Sequence, residues 1–310
     1  MKKLGLLTLV AVLVLAVSSC TCGTETPPDT PGEPTKPSGA TSAPSKPTDA
    51  PDEPTTEPTE VPPTDIPTPE GLPPLPPDPQ KVEFQAEDGQ VLMGTYYPGA
   101  TNPAPTVVLM HWAPGDENNW PAIAAWLQNR GLEVTPGAEP WLDSSWFPPM
   151  LEGQSFAVFM FTFRGCEGGC SSFEPEGWLL DAKAAMKTAS ELDGVDPTRM
   201  VAIGASIGSD GAVDACGEGC LGALSLSPGS YLRVPYDEAV AAVDGAGNPV
   251  WCLAAEGDAD SASTCQSASG DLYEVTIYPG RGHGMELIDP EVEPSALGLI
   301  LDFLKLVFGL

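Results

Sequence analysis

"VAIGASIGSDGAV", residues 201–213, decides the fold. A run of β-formers ends in Gly204-Ala205-Ser206-Ile207-Gly208, and a small-residue segment of helical character follows. A serine between two glycines at a strand-to-helix junction fits G-x-S-x-G, where a sharp, strained turn lifts the hydroxyl clear of the sheet. The small residues two positions to either side let neighbouring backbone come close. The N–H of Ile207 then points from a helix N-terminus to where an oxyanion would form. A merely structural Gly/Ser turn is the competing reading, and the surrounding elements decide between them.

Those elements alternate. "KVEFQA" (81–86) and "VLMGTYYPG" (91–99) flank an Asp88-Gly89 pair, a hairpin signal. "TVVLMH" (106–111) is almost wholly apolar, as a strand buried on both faces of a parallel sheet must be. A helix is predicted around Trp120 to Arg130 with Gly131 as its stop, then a strand in "SFAVFMFTFR" (155–164) and a long amphipathic helix in "PEGWLLDAKAAMKTASELDG" (175–194). "MVAIGAS" leads into the serine, "SIGSDGAVDAC" follows it, and "GALSLSPG", "VWCLAAEGD" and "LYEVTIYPG" read as three further strands. This order predicts a mostly parallel central sheet flanked by helices on both faces, with catalytic loops at the carboxyl ends of the strands. The closing segment Ser295 to Leu310 is apolar but interrupted by Asp302 and Lys305; at about 16 residues it reads as a packed helix, not a membrane span.

Only two histidines occur, so a serine hydrolase has two candidate bases. His283 lies in the Gly-rich "YPGRGHGMEL" after the last strand, and His111 ends "TVVLMH" and runs into Trp112-Ala113-Pro114-Gly115. Both fall at strand carboxyl ends, where Ser206 also falls.

With these residues in place, 81–310 resembles the α/β-hydrolase fold, nearest its dienelactone-hydrolase-like branch. The resemblance implies a His-Gly-type oxyanion turn at His111-Trp112-Ala113, with the N–H of Trp112 or Ala113 as one donor and that of Ile207 as the other. "FTFRGCEGGCSS" is similar to the family's D-x-R-G-x-G-x-S element, with Arg164-Gly165 retained. The family order of nucleophile, acid and histidine implies Ser206, then an acid after "VWCLAAEG", then His283. Asp258 matches the strand-end pattern, with Asp260 as second choice at the cap of a helix starting at Ser261; Glu256 is too close to the strand. Dienelactone hydrolases themselves use a cysteine nucleophile, so the serine here does not carry over their specific reaction. No metal or organic cofactor is implied.

Eight cysteines accompany a leader of export type. Lys2 and Lys3 precede the apolar run Leu4 to Val17, and Val17-Ser18-Ser19-Cys20 resembles a bacterial lipobox, giving a lipoprotein signal peptide over 1–19 and a lipidated Cys20. Residues 20–80 read as a solvated Pro/Thr-rich tether, since 19 of the 36 prolines fall between 21 and 80. The six cysteines of the domain pair by proximity as Cys166–Cys170, Cys216–Cys220 and Cys252–Cys265. A four-thiolate zinc site from the first four is disfavoured: Cys166 and Cys170 fall just beyond a strand's carboxyl end, while about ten residues of the helix after Ser206 carry Cys216 and Cys220 roughly 15 Å towards the opposite face.

Charge narrows the partners. The domain holds 32 acidic and 9 basic side chains, a formal −23, which repels nucleic acid and polyanionic substrates. The expectation is an exported, outward-facing protein held to the cell membrane by a lipid at Cys20, hydrolysing a small ester-type substrate. A hydrolase-fold surface protein that binds without turnover is the rival of a different class, and a serine peptidase or acyltransferase is a variant within the enzyme class. The Trp/Pro-rich insert 135–153 has two readings, a roof over the pocket or packing on the domain flank.

Overall fold

A computed structural model of the protein describes residues 72–310; the expected leader, Cys20 and the expected tether up to residue 71 lie outside the described residues. Two antiparallel strands come first, β1 (Gln80–Gln85) and β2 (Val91–Tyr97), and the turn between them carries Gly89 at φ +89°, the left-handed conformation that glycine tolerates. Then follow β3 (Ala104–Met110), α1 (Pro121–Gln128), β4 (Ala157–Phe161), α2 (Pro175–Glu191), β5 (Val195–Ala205), α3 (Ile207–Asp214) and β6 (Cys220–Leu226). The chain closes with α4 (Tyr236–Gly245), β7 (Val250–Ala255), α5 (Ala259–Ser267), β8 (Tyr273–Tyr278) and α6 (Ala296–Phe308). The eight strands lie in the order β1-β2-β4-β3-β5-β6-β7-β8, and every pairing from β4 to β8 is parallel. This is the α/β-hydrolase architecture expected above.

Alternation along the central strands explains why helices cover both faces. On β3, Val108 and Met110 join one buried cluster with Trp178, Ala182 and Met186 of α2 and Val213 of α3. Val107 and Leu109 join a second cluster on the other side, with Ile123 of α1 and Phe303 and Leu304 of α6. With both faces dry, the strand must be continuously apolar; each such side chain contributes about 1.5–3 kcal/mol by burial. α6 buries Leu297, Ile300 and Leu301 along the same side, and among the described residues no helix is long and apolar enough to cross a membrane.

Several boundaries differ from the sequence reading for local reasons. α1 stops at Asn129, whose αL conformation (φ +50°) turns its N–H back to the Ala125 carbonyl, two residues before Gly131. α5 starts at Ala259, so Asp258 holds the N-cap position and Asp260 falls inside the first turn. α4 has no counterpart in the sequence reading. Residues 73–77, read as tether, lie against the domain: Asn102 donates to the Pro73 carbonyl, Arg130 to Leu75 and Gln128 to Pro77, at 2.7–3.1 Å. The insert 135–153 forms two 3-10 turns and packs on α1, where Trp126 donates to the Pro148 carbonyl at 2.7 Å and meets Phe147 edge-on. It also reaches the site, because its buried Trp141 meets the Trp112 ring edge-on at 5.6 Å. The cysteines pair as Cys166–Cys170, Cys216–Cys220 and Cys252–Cys265.

Candidate active site

Parallel register brings four strand ends to one edge. Met110 lies opposite Gly204, Ala205 opposite Leu226, and Leu226 opposite Leu253, so His111, Ser206 and Ser227 emerge side by side. Ser206 adopts φ +52°, ψ −117°, a strained backbone for a residue with a Cβ. Its N–H donates to Leu226 O at 2.8 Å and its carbonyl accepts from Ser209 N and Oγ, which together hold the strain. The flanking glycines are required by contact. A Cβ on Gly204 would collide with the carbonyl oxygen of Gly208, and a Cβ on Gly208 with that of Met110. Ile207 is the first residue of α3, and its N–H is among the donors that a helix leaves without an internal partner.

His283 follows β8 in a loop pinned on both sides. Its own N–H donates to Glu286 Oε2 at 3.0 Å, and the next N–H, of Gly284, donates to Ser227 Oγ at 2.9 Å. The ring bridges two of the residues singled out from sequence: Nε2 lies 2.8 Å from Ser206 Oγ and Nδ1 lies 2.6 Å from Asp258 Oδ2. A carboxylate on Nδ1 holds the proton there and leaves the Nε2 lone pair facing the serine hydroxyl. Burial pushes the Asp258 carboxyl up, but the interactions that favour its charged form, the hydrogen bond with His283 foremost, outweigh it and the pKa ends below its ordinary value. Asp258 therefore stays ionised. Asp260 is exposed on the first turn of α5, and Glu256 is exposed at the strand end, where its backbone N–H donates to the Tyr278 carbonyl.

His111, the other histidine, is sealed in the core. Its Nδ1–H donates to the Trp112 carbonyl at 2.7 Å, while Nε2 accepts from Phe163 N–H at 2.9 Å. Burial lowers its pKa to about 4, so it is neutral at physiological pH. With both nitrogens engaged it cannot serve as a base. The turn beyond it is held by Trp112 Nε1–H donating to Asn119 Oδ1 at 3.0 Å, and Gly284 (φ +59°) makes room for the Trp112 ring, which a Cβ there would approach to 3.2 Å.

Sequence reasoning missed Asp210. It lies one helical turn beyond Ser206, buried, and its carboxylate accepts from the N–H groups of Gly229 and Tyr231. That holds the loop after β6, where Ser227 and Ser230 both take positive φ, and sets Tyr231 edge-on to His283 with ring centres 6.4 Å apart. A carboxylate on the face of a helix directed into the protein was the available signal. Arg164 is held by Asp181 of α2 and Asp88 of the β1–β2 turn. Among the described residues no group of three His, Cys, Asp or Glu side chains could hold a metal ion.

No family model matches the chain. It is 30% identical over 151 residues to the uncharacterized protein YfhR of Escherichia coli K12, covering 46% of this chain and 44% of that protein. The corresponding protein of Salmonella typhi is 27% identical over 158 residues, 49% of this chain and 45% of that protein. The chain thus spans less than half the length of these curated relatives. Among solved structures it is similar to the esterase Pf2001 of Pyrococcus furiosus (TM-score 0.51, 15% identity, 74% of this chain and 93% of that one). It is also similar to the α/β hydrolase GrgF of Penicillium sp. sh18 (0.53, 15%, 75% and 100%) and to the acylaminoacyl peptidase of Pyrococcus horikoshii (0.50, 14%, 74% and 41%). At these identities the likeness establishes the α/β-hydrolase fold.

Proposed function

We propose that the protein is an exported serine hydrolase, tethered to the membrane through Cys20, that cleaves small carboxylic esters. The observation that carries the reading is the unbroken chain Ser206 Oγ–His283 Nε2 (2.8 Å) and His283 Nδ1–Asp258 Oδ2 (2.6 Å). A serine hydroxyl is a weak nucleophile until an adjacent base takes its proton, and such a base in turn needs a third group to orient it. In the proposed cycle Ser206 Oγ attacks the acyl carbon as its proton passes to His283 Nε2. The imidazolium so formed is stabilised by ionised Asp258.

The developing oxyanion is held by the N–H of Ile207 and that of Trp112 or Ala113; a donor of this kind is worth about 10²–10³ in kcat. His283 then protonates the departing alkoxide, leaving an acyl-enzyme. Water attacks that ester with its proton going to His283, and the proton returns to Ser206 as the carboxylic acid leaves. Esterase and peptidase neighbours on the same fold support hydrolysis as the reaction class, and the Lys2-Lys3, Leu4–Val17 and Cys20 pattern supports export and anchoring. The test is turnover of p-nitrophenyl acetate and butyrate by the full chain. Activity that Ser206→Ala and His283→Ala each abolish supports the reading. No turnover of any short-chain ester by wild type contradicts it and favours the binding-protein alternative.

A further inference from the structure

Three hydrogen bonds tie residues 111–116, the turn after β3, to the segment after β4. Phe163 N–H donates to His111 Nε2 at 2.9 Å, Cys170 N–H to the Ala113 carbonyl at 2.7 Å, and Gly168 N–H to Asp116 Oδ2 at 2.8 Å. They clamp the turn at its start, its middle and its end. The middle one matters most for the oxyanion donors. Pro114 has no N–H, so the Ala113 carbonyl is the polar handle of that peptide unit, and Cys170 takes it. The preceding unit is fixed by its own carbonyl, of Trp112, which accepts from His111 Nδ1–H and from Gly115 N–H. In a trans peptide the N–H points opposite to the C=O, so these bonds direct the Ala113 N–H away from the His111 ring.

Two of the three clamp donors, Gly168 and Cys170, belong to the short ring closed by the Cys166–Cys170 disulfide. Within it Gly168 and Gly169 take φ +74° and +112°, and Gly169 lies so flat on the turn that a Cβ would come within 3.1 Å of the Pro114 carbonyl oxygen. A Gly-Gly segment is the most mobile chain a protein can use, and the crosslink removes much of that freedom. Cys216–Cys220 sits where α3 leads into β6, at the other end of the sheet, with neither half-cystine bonded to the turn.

We propose that the Cys166–Cys170 loop positions the oxyanion turn, so that the redox state of this one disulfide sets the turnover at Ser206. The inference rests on the serine-hydrolase reading. Gly168 and Cys170 are positioning residues, acting through their backbone N–H groups on Asp116 and Ala113. Opening the bridge takes two electrons and two protons from a dithiol, which is itself oxidised to its disulfide, and leaves two thiols and a loosened clamp. Donors that meet the oxyanion only as it forms lower the transition state more than they hold the substrate.

The experiment compares the full-length wild type with Cys166→Ala/Cys170→Ala and Cys216→Ala/Cys220→Ala on a p-nitrophenyl ester. The first double variant should lose about tenfold or more in kcat, below the ~10²–10³ of a donor removed outright, with KM within about twofold. Its affinity for a boronic acid that mimics the tetrahedral state should fall by the same factor, and the second double variant should match wild type. Asp116→Ala, which removes the Gly168 anchor without touching a cysteine, should show the same kcat-only loss and serves if the cysteine variant does not fold. Unchanged kcat in the loop variants, or a loss shared equally by the Cys216/Cys220 control, overturns the inference while the hydrolase reading stands. Wild type that neither hydrolyses esters nor binds the boronic acid sinks the hydrolase reading, and this inference with it.

Discussion

His111→Ala should cost the fold far more than a loop adjustment. The side chain is fully buried, stacks edge-on against Phe163 at 5.0 Å and satisfies two backbone groups. Removing it leaves the Phe163 N–H without an acceptor, a penalty of about 1–3 kcal/mol. The Trp112 carbonyl keeps its bond from Gly115, so its loss is nearer 1 kcal/mol. The emptied imidazole space adds about 1–2 kcal/mol. The sum, roughly 3–6 kcal/mol, is a large part of the 5–15 kcal/mol typical of a domain.

A pH signature separates this account from generic damage. The folded pKa of His111 is depressed to about 4, so its neutral form contributes stability above the unfolded value of 6.5, and that contribution is lost as pH falls towards 4. Between pH 7.5 and pH 5 the gap between wild type and His111→Ala should shrink by about 2 kcal/mol. Urea unfolding at the two pH values measures it, with m unchanged. A loss below about 1 kcal/mol, or a gap that does not narrow, refutes the reasoning.

Asp258→Asn should lower kcat by about 10⁴ by presenting the wrong partner to His283 Nδ1, while Asp260→Asn should leave it within about twofold; steady-state ester kinetics rank the two, and the opposite ranking reassigns the acid. Both carboxylate oxygens of Asp214 are buried without a hydrogen-bond partner among the described residues, and burial raises its pKa to about 8. A raised carboxyl pKa means a contribution fully present only below the unfolded value of about 4 and lost as pH rises from there through 8, so Asp214→Asn should already exceed wild type slightly at pH 5 and by about 1–3 kcal/mol more at pH 9. Equal denaturation midpoints at pH 9 contradict this.

What could be read in advance divides along physical lines. That Ser206, Asp258 and His283 meet at one sheet edge was legible because strand-to-helix junctions announce themselves locally, in Gly204 and Gly208 about the serine and in the apolar strands that precede each residue. Asp258 stands ahead of Asp260 on the strand-end pattern alone; the start of α5 was not legible, and its shift from Ser261 to Ala259 moves Asp260 from the cap into the turn. The roles of His111 and Asp210 were not legible. Each depends on backbone N–H groups distant in sequence, of Phe163 for one and of Gly229 and Tyr231 for the other, brought near only by strand order. The contacts of Pro73, Leu75 and Pro77 were hidden for a related reason: a Pro-rich composition reads as tether, yet its carbonyls satisfy Asn102, Arg130 and Gln128. α4 escaped notice because "YDEAVAAVDG" buries only a narrow strip, Tyr236, Ala239, Val240 and Val243.

The proposed cycle stands on Ser206 as a nucleophile activated by His283. Treating the full chain with a fluorophosphonate and mapping the adduct by peptide mass spectrometry tests it directly. One phosphonyl group on the peptide bearing Ser206, absent in Ser206→Ala and strongly slowed in His283→Ala, is the predicted result. A protein that hydrolyses esters yet carries no adduct at Ser206, or carries it on another serine with His283 irrelevant, would contradict the account.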